Sequence, residues 1–330
     1  MSIKKRSRRA ALYMAVSPLL LLGAPALGQT NAPLSDGPIR LLVGFGAGGG
    51  TDTVARIIAE PLARRLDTSI IVENRPGANG VLAMEALRNS RPDGRTLLVS
   101  ATGTLVMQPH LARVPFDIHR DITSIGMMVQ YPLVIVTSAS NGLKTLREFI
   151  EYVRERPGRL SYSSAGIGSG NHFAGEMLKH ETGIDLVHVP YKGDAPALPD
   201  LMEGRIAMHV LNIQVALKHI ESGRLTALAL TGSARLPELP QVPTVAEAGY
   251  PGLEMMPWTA LIGPSGLPEE FITRVNAALN DVLSDPSIRK RFSDLGQQVA
   301  IRSSNETKQH IERENQRYKT VAQQARMTAE

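Results

Sequence analysis

Short apolar runs of β character alternate along this chain with stretches of helical spacing. Ile39, Leu41, Leu42 and Val43 make the first run, interrupted only by Arg40, and it reads as a buried strand. A glycine-rich stretch follows at 44–50. Within 51–66, Val54, Ile57, Ile58, Leu62 and Leu66 recur at intervals of three and four, a helical period opened by Thr51 and Asp52. Residues 69–72 predict a second strand, 79–87 a helix and 96–100 a third strand. Strand, helix, strand, helix, strand in that order predicts a parallel, doubly wound arrangement.

The same grammar returns further on. Strands are expected at 133–137, 160–164, 187–189, 207–211 and 226–230. Helices are expected at 145–154, 171–181 and 195–203. A second glycine-rich turn at 166–170 stands between a predicted strand and a predicted helix, as the first one does. Pro237, Pro240, Pro243 and Pro251 mark 235–252 as an irregular crossing. Pro268, Glu269 and Glu270 open a long helix with Phe271, Val275, Ala278, Val282 and Leu283 on its apolar face. Ser303 with Glu306 has the spacing of a capping box for a last, polar helix. The mature chain, some 300 residues, exceeds what one core usually serves. Two α/β lobes are therefore expected, one from 37–136 plus 254–330 and the other from 137–253, with two crossings that permit hinge closure.

The N-terminus changes how the charge is read. Lys4, Lys5, Arg6, Arg8 and Arg9 precede an apolar stretch at 10–22, too short for a bilayer that needs roughly 20 apolar residues. Ala26 and Gly28 put small residues where a signal peptidase reads them. Residues 1–28 are thus expected to be a signal peptide cleaved before Gln29, by either the general secretory or the twin-arginine route. That leader carries five of the 36 basic residues and no acidic one, so the remainder balances the 31 acidic residues. The high isoelectric point belongs to the leader and gives no reason to expect a nucleic-acid partner. The chain has no cysteine, which excludes disulfides, thiolate metal sites, a catalytic thiol and a lipid anchor on an N-terminal cysteine.

Candidate chemistry gathers at the glycine-rich turns. Five of the seven residues at 44–50 are glycine, more than a tight turn needs. Backbone N–H groups at such a turn, with the helix start behind them, suit an anion. The second turn adds Ser169 and His172 as donors beside another helix start. The first turn also fits G-x-G-x-x-G at Gly44, Gly46 and Gly49, with Glu73 ending the next strand. That keeps open an exported NAD(P)-dependent oxidoreductase using this loop, although Asp52 would repel a pyrophosphate. No Gly-Lys-Ser/Thr follows for a phosphate loop, and Ile167-Gly168-Ser169 fails the nucleophile elbow. His180-Glu181 lacks a second histidine at Ile184, so no metal site is expected. Tyr191 and Lys192 end a predicted strand near the expected cleft.

Taken in order, 44–56, 73–80, 92–98, 117–125, 160–172, 189–201 and 243–252 resemble the Bug family, the periplasmic solute-binding proteins of tripartite tricarboxylate transporters. The resemblance implies a type II periplasmic-binding-protein fold, with mixed sheets flanked by helices and a ligand cleft between two lobes. It implies a receptor with no enzymatic activity and no cofactor. Such a receptor captures a small carboxylate and hands it to membrane transporter subunits, as a soluble periplasmic monomer. Carried over by position, it nominates Gly46, Ala47, Gly48, Gly49, Thr51, Asp52, Gly168, Ser169, Gly170 and His172 as ligand-binding, with Thr102 and Tyr191 behind them. Gly46 stands where the family often has proline, and Asn212 where an aspartate is common.

Overall fold

The computed structural model describes residues 37–328, so the signal peptide expected at 1–28 and its expected cleavage site lie outside the described residues. The chain opens with β1 (Ile39–Val43), α1 (Gly50–Leu66), β2 (Ile70–Asn74), α2 (Val81–Arg88), β3 (Thr96–Ala101) and β4 (Ile122–Gln130). It continues through β5 (Leu133–Ser138), α3 (Leu146–Arg154), β6 (Ser161–Ser164), α4 (Gly170–Thr182) and β7 (Val187–Pro190). Then come α5 (Leu198–Met202), β8 (Met208–Asn212), α6 (Ile213–Glu221) and β9 (Leu225–Leu230). It closes with β10 (Trp258–Pro264), α7 (Glu269–Ser284), α8 (Pro286–Ser293), β11 (Gln298–Val299) and α9 (Ser304–Gln324).

Two sheets result. The first runs β11-β4-β10-β3-β1-β2 and the second β7-β6-β8-β5-β9. Each is mixed. In the first, β1 lies parallel to β2 and β3, and β10 runs antiparallel to β3 and β4. In the second, β6 is parallel to β7 and β8, and β5 is antiparallel to β8 and β9. The parallel arrangement expected for the first three strands holds. β4 and β10 fill the middle of that sheet without having been read from the sequence.

The alternation of a strand explains the layers. Leu41 and Val43 face one side of the first sheet and pack on Val54, Ile58 and Leu62 of α1 and on Val275 and Leu279 of α7. Leu42 faces the other side, with Met84 and Leu87 of α2. In β5 the same alternation sends Val134 and Val136 to one face of the second sheet and Leu133 and Ile135 to the other. The capping box read at Ser303 and Glu306 is present, and Thr145 with Glu148 makes a second.

The chain crosses between the lobes twice, and the crossings are laced together. The Tyr131 N–H donates to the Pro257 carbonyl at 2.9 Å, and Leu133 and Thr231 exchange N–H bonds at 2.9 Å. The Thr231 hydroxyl donates on to the Met255 carbonyl at 2.7 Å. β5 pairs along its whole length within the second sheet. The division expected after residue 136 falls inside β5. On the far side α9, part of the first lobe, sets Tyr318 edge-on against Phe173 of α4 at 5.6 Å. Among the described residues no helix is long and apolar enough to cross a membrane.

Candidate ligand cleft

The first glycine-rich loop leaves β1 at the edge of the cleft and turns straight into α1. Gly44 is required by a close approach, since a β-carbon there would stand 2.6 Å from the Gly80 Cα. Gly46, Ala47 and Gly48 are exposed, and Gly49 is half-buried as the N-cap of α1. Gly49 offers no side chain to the helix, so the first N–H groups of a 17-residue helix lack a capping acceptor. The positive end of the helix dipole adds to them. α6 repeats this, because its N-cap Asn212 makes no side-chain capping bond either.

Asp52 supports the loop from behind. It is 1% exposed and its carboxylate accepts from the Gly48 N–H, Arg56 Nε and Asn74 Nδ2, each at 2.8 Å. Burial pushes this carboxyl up, but the bonds from Arg56, Gly48 and Asn74 together outweigh burial and hold it below the ordinary value. Thr51, the second residue of the helix, is buried beside it.

The second loop is stabilised in the same manner. Ser169 caps α4, giving its hydroxyl proton to the Gly166 carbonyl at 2.6 Å and accepting the His172 N–H at 3.2 Å. His172 accepts the Gly168 N–H on Nδ1 at 3.3 Å and stacks on His188 with ring centroids 4.1 Å apart. His188 stacks in turn on Tyr162 and pairs with the Ser164 hydroxyl at 2.7 Å. Burial pushes His172 down to about 3 and His188 to about 4, so both rings are neutral at ordinary pH. Gly170, the first residue of α4, lies against Pro257 of the crossing.

The nominated side chains thus face inward. Asp52, Ser169 and His172 hold the loops. The Thr102 hydroxyl donates to the Trp258 carbonyl at 2.9 Å and accepts its N–H at 2.7 Å, which ties the end of β3 to β10. Tyr191 gives its hydroxyl to Asp200, itself paired with Arg205. Lys192 is exposed. The Gly48 N–H is taken by Asp52 and the Gly49 N–H by the Gly46 carbonyl at 3.2 Å, which leaves for a solute the N–H groups of Gly46 and Ala47 and those of the start of α1.

Other residues lie beside the two loops. The turn before α2 carries Ala78 at φ 46° and Asn79 at φ 52°, backbone conformations that L side chains seldom adopt and that concentrate at functional sites. The Thr104 hydroxyl braces it through the Asn79 carbonyl at 2.7 Å. Across the gap, a β-carbon at Gly168 would stand 1.7 Å from Gln108 Oε1 and 3.4 Å from Asn79 Nδ2. One at Gly50 would stand 2.6 Å from Gln214 Nε2, in the first turn of α6. The two lobes therefore touch over the cleft. Asn79, Gln108 and Gln214 carry no motif; the run Pro76-Gly77-Ala78-Asn79-Gly80 was the one available signal. Two open hollows, ≈ 390 and ≈ 480 Å³, lie elsewhere, one lined by Met255, His310 and Glu314 and the other by Arg88, Arg113 and Arg120. Neither includes a glycine-rich loop. Among the described residues no group of three His, Asp or Glu could hold a metal ion.

The dinucleotide alternative finds no support here. Glu73, the acid it needs, accepts from Arg40 at 2.8 Å and from Arg75 at 2.6 Å. Comparison with known proteins points the other way. Protein BugT of Bordetella pertussis is 34% identical over 289 residues, which cover 87% of this chain and 89% of that protein. A Rhodopseudomonas palustris protein solved with adipate matches with a TM-score of 0.83 at 31% identity, covering 89% of this chain and 99% of that one. MatC of Rhodopseudomonas palustris, solved with bound malate, matches with a TM-score of 0.80 at 32% identity over 87% of this chain and 99% of that one. Residues 54–327 match the model of the tripartite tricarboxylate transporter family receptor. The chain belongs to that family of periplasmic solute-binding receptors, and not to a family of enzymes.

Proposed function

We propose that this receptor binds a small carboxylate between its lobes and delivers it, in the closed form, to the membrane subunits of a tripartite transporter. The observation that carries this reading is the pair of helix starts without side-chain caps, α1 at Gly50 and α6 at Ile213, with the Gln214 side chain of α6 reaching Gly50. A carboxylate between them would take N–H bonds from both. Hydrogen bonds to charged groups contribute roughly 1.5–3 kcal/mol each. A few of them offset an association cost of about 4–15 kcal/mol and still leave micromolar affinity.

The laced crossings near Tyr131 and Pro257 serve as the hinge, with the lobe boundary there. Residues 1–28 act as the export leader, and the mature chain is a soluble monomer in the periplasm. The names of two structural neighbours mention adipate and malate, which makes aliphatic di- and hydroxy-acids the first solutes to try.

The test is a thermal-shift screen of residues 29–330 against aliphatic, hydroxy-, amino- and aromatic carboxylates, with NAD and NADP as controls. Saturating ligand at 100 times its dissociation constant adds about 2.7 kcal/mol. A rise in melting temperature with a carboxylate class is the expected result. A rise with NAD or NADP alone would overturn the reading.

A further inference from the structure

The second lobe buries a carboxylate with no lysine or arginine paired to it among the described residues. Asp194 follows the turn after β7 and keeps 6% of its side-chain surface open. Its Oδ1 accepts from Asn171 Nδ2 at 3.1 Å and from His209 Nε2 at 3.2 Å, and its Oδ2 accepts from the Asn212 amide. His209 is itself fully buried and held on Nδ1 by the Ser163 hydroxyl at 2.6 Å.

These partners fix where the carboxylate stands. Asn171 is the second residue of α4, and Asn212 is the N-cap of α6. Both helices begin at the cleft, and Gln214, two residues beyond Asn212, meets Gly50 of the first lobe. Asp194 therefore sits in the cleft wall between the two helix starts.

A carboxylate offers about four lone-pair positions. Oδ1 has two donors and Oδ2 has one, so Oδ2 has capacity for one more. A buried negative charge is costly unless it is fully hydrogen-bonded or paired. It also repels an arriving anion, so a solute made only of carboxylates gains nothing at this wall.

We infer that Asp194 is the specificity-determining residue of the cleft. It selects a carboxylate that carries a hydrogen-bond donor, ammonium or hydroxyl, on its carbon chain, over one whose only polar groups are carboxylates. The departure at Asn212 fits this role, because the amide there donates to Asp194, where a second acid would oppose it. The inference rests on the carboxylate-receptor reading above.

Calorimetry on three four-carbon acids that differ only at one carbon, aspartate, malate and succinate, and on the matching five-carbon set, tests it. In the wild-type chain the amino or hydroxy acid should bind at least tenfold more tightly than the plain diacid. Asp194→Asn, which keeps the shape at the cost of an acceptor for one buried donor, should cut that preference to under threefold. Equal binding of plain and substituted acids by the wild type overturns the inference even if the variant does not fold. So does a variant that keeps the full preference. The amino and hydroxy arms decide which donor is recognised. Absence of binding to every acid tested overturns the inference, while the receptor reading is decided separately by the wider carboxylate screen above.

Discussion

The carboxylate of Asp52 accepts the N–H of Gly48, four residues before it, at 2.8 Å. A residue expected to touch the solute thus folds back to fix the loop that would touch it. Asp52→Ala removes the acceptor for Gly48, Arg56 and Asn74 together. Stability should fall by about 2 kcal/mol, since orphaned buried donors cost about 1–3 kcal/mol and the Arg56 end is half in solvent. Affinity for a carboxylate should fall about tenfold, because the loop N–H groups lose their common orientation. Asp52→Asn, with one acceptor oxygen in place of two, should recover only part of both. Urea denaturation and calorimetry on the two variants provide the check, and an alanine variant that binds like the wild type would remove Asp52 from the site.

Stability should depend on pH through buried histidines. Burial pushes His172 down to about 3 and both His188 and His310 to about 4, against an ordinary value of 6.5. The unfolded chain therefore takes up these protons at a higher pH than the native one does. The stabilisation is complete above about pH 6.5 and is lost as the pH falls toward 4, by at most about 1.4 kcal/mol per pH unit for each group. Asp52, held below the ordinary carboxyl value, adds a further loss only below about pH 4. Urea midpoints measured from pH 7 to 4.5 should decline, and His172→Asn should flatten that decline. The same slope in the variant would mean that His172 titrates normally.

Gly168 faces Gln108 across the cleft. Alanine at 168 must adopt φ 77° and place its β-carbon 1.7 Å from Gln108 Oε1. The left-handed backbone costs about 1–2 kcal/mol, and the steric conflict falls between the lobes, where it opposes closure. Gly168→Ala should weaken ligand binding about tenfold. Gln108→Ala alone should change it little, and the double variant should recover part of the loss. Strictly additive effects in that cycle would show that Gln108 is not what opposes closure.

Much of the fold was legible because periodicity reports burial. Val54, Ile58 and Leu62 announced α1, and Leu41 to Val43 announced β1, before any contact was known. β4 and β10 escaped for the opposite reason. Gly126 and two methionines interrupt β4, and Trp258 to Pro264 is buried at every position and so shows no alternation. The glycine loops were legible as strand-to-helix turns with more glycine than a turn needs, and the anion they would cradle belongs to the proposed reading. The direction of their side chains was not. Whether Asp52, Ser169 or Thr102 points to solute or to backbone depends on partners such as Asn74 and Trp258, distant in sequence. Asp194 was hidden likewise, since its partners Asn171, His209 and Asn212 meet it only in three dimensions.

The bare start of α1 has one more consequence. Gly49 has φ −73° and ψ 166°, a backbone any residue adopts at such a position. Serine or aspartate there would strengthen the empty protein by roughly a few tenths of a kcal/mol. It would also put an oxygen where, on the proposed reading, the solute's oxygen belongs. The solute then plays the part of the helix's missing terminal residue. On that reading an empty receptor carries an unfinished helix and a loaded one a finished helix, so occupancy would be recorded in the secondary structure itself, and sturdiness and appetite for solute would draw on the same few amides.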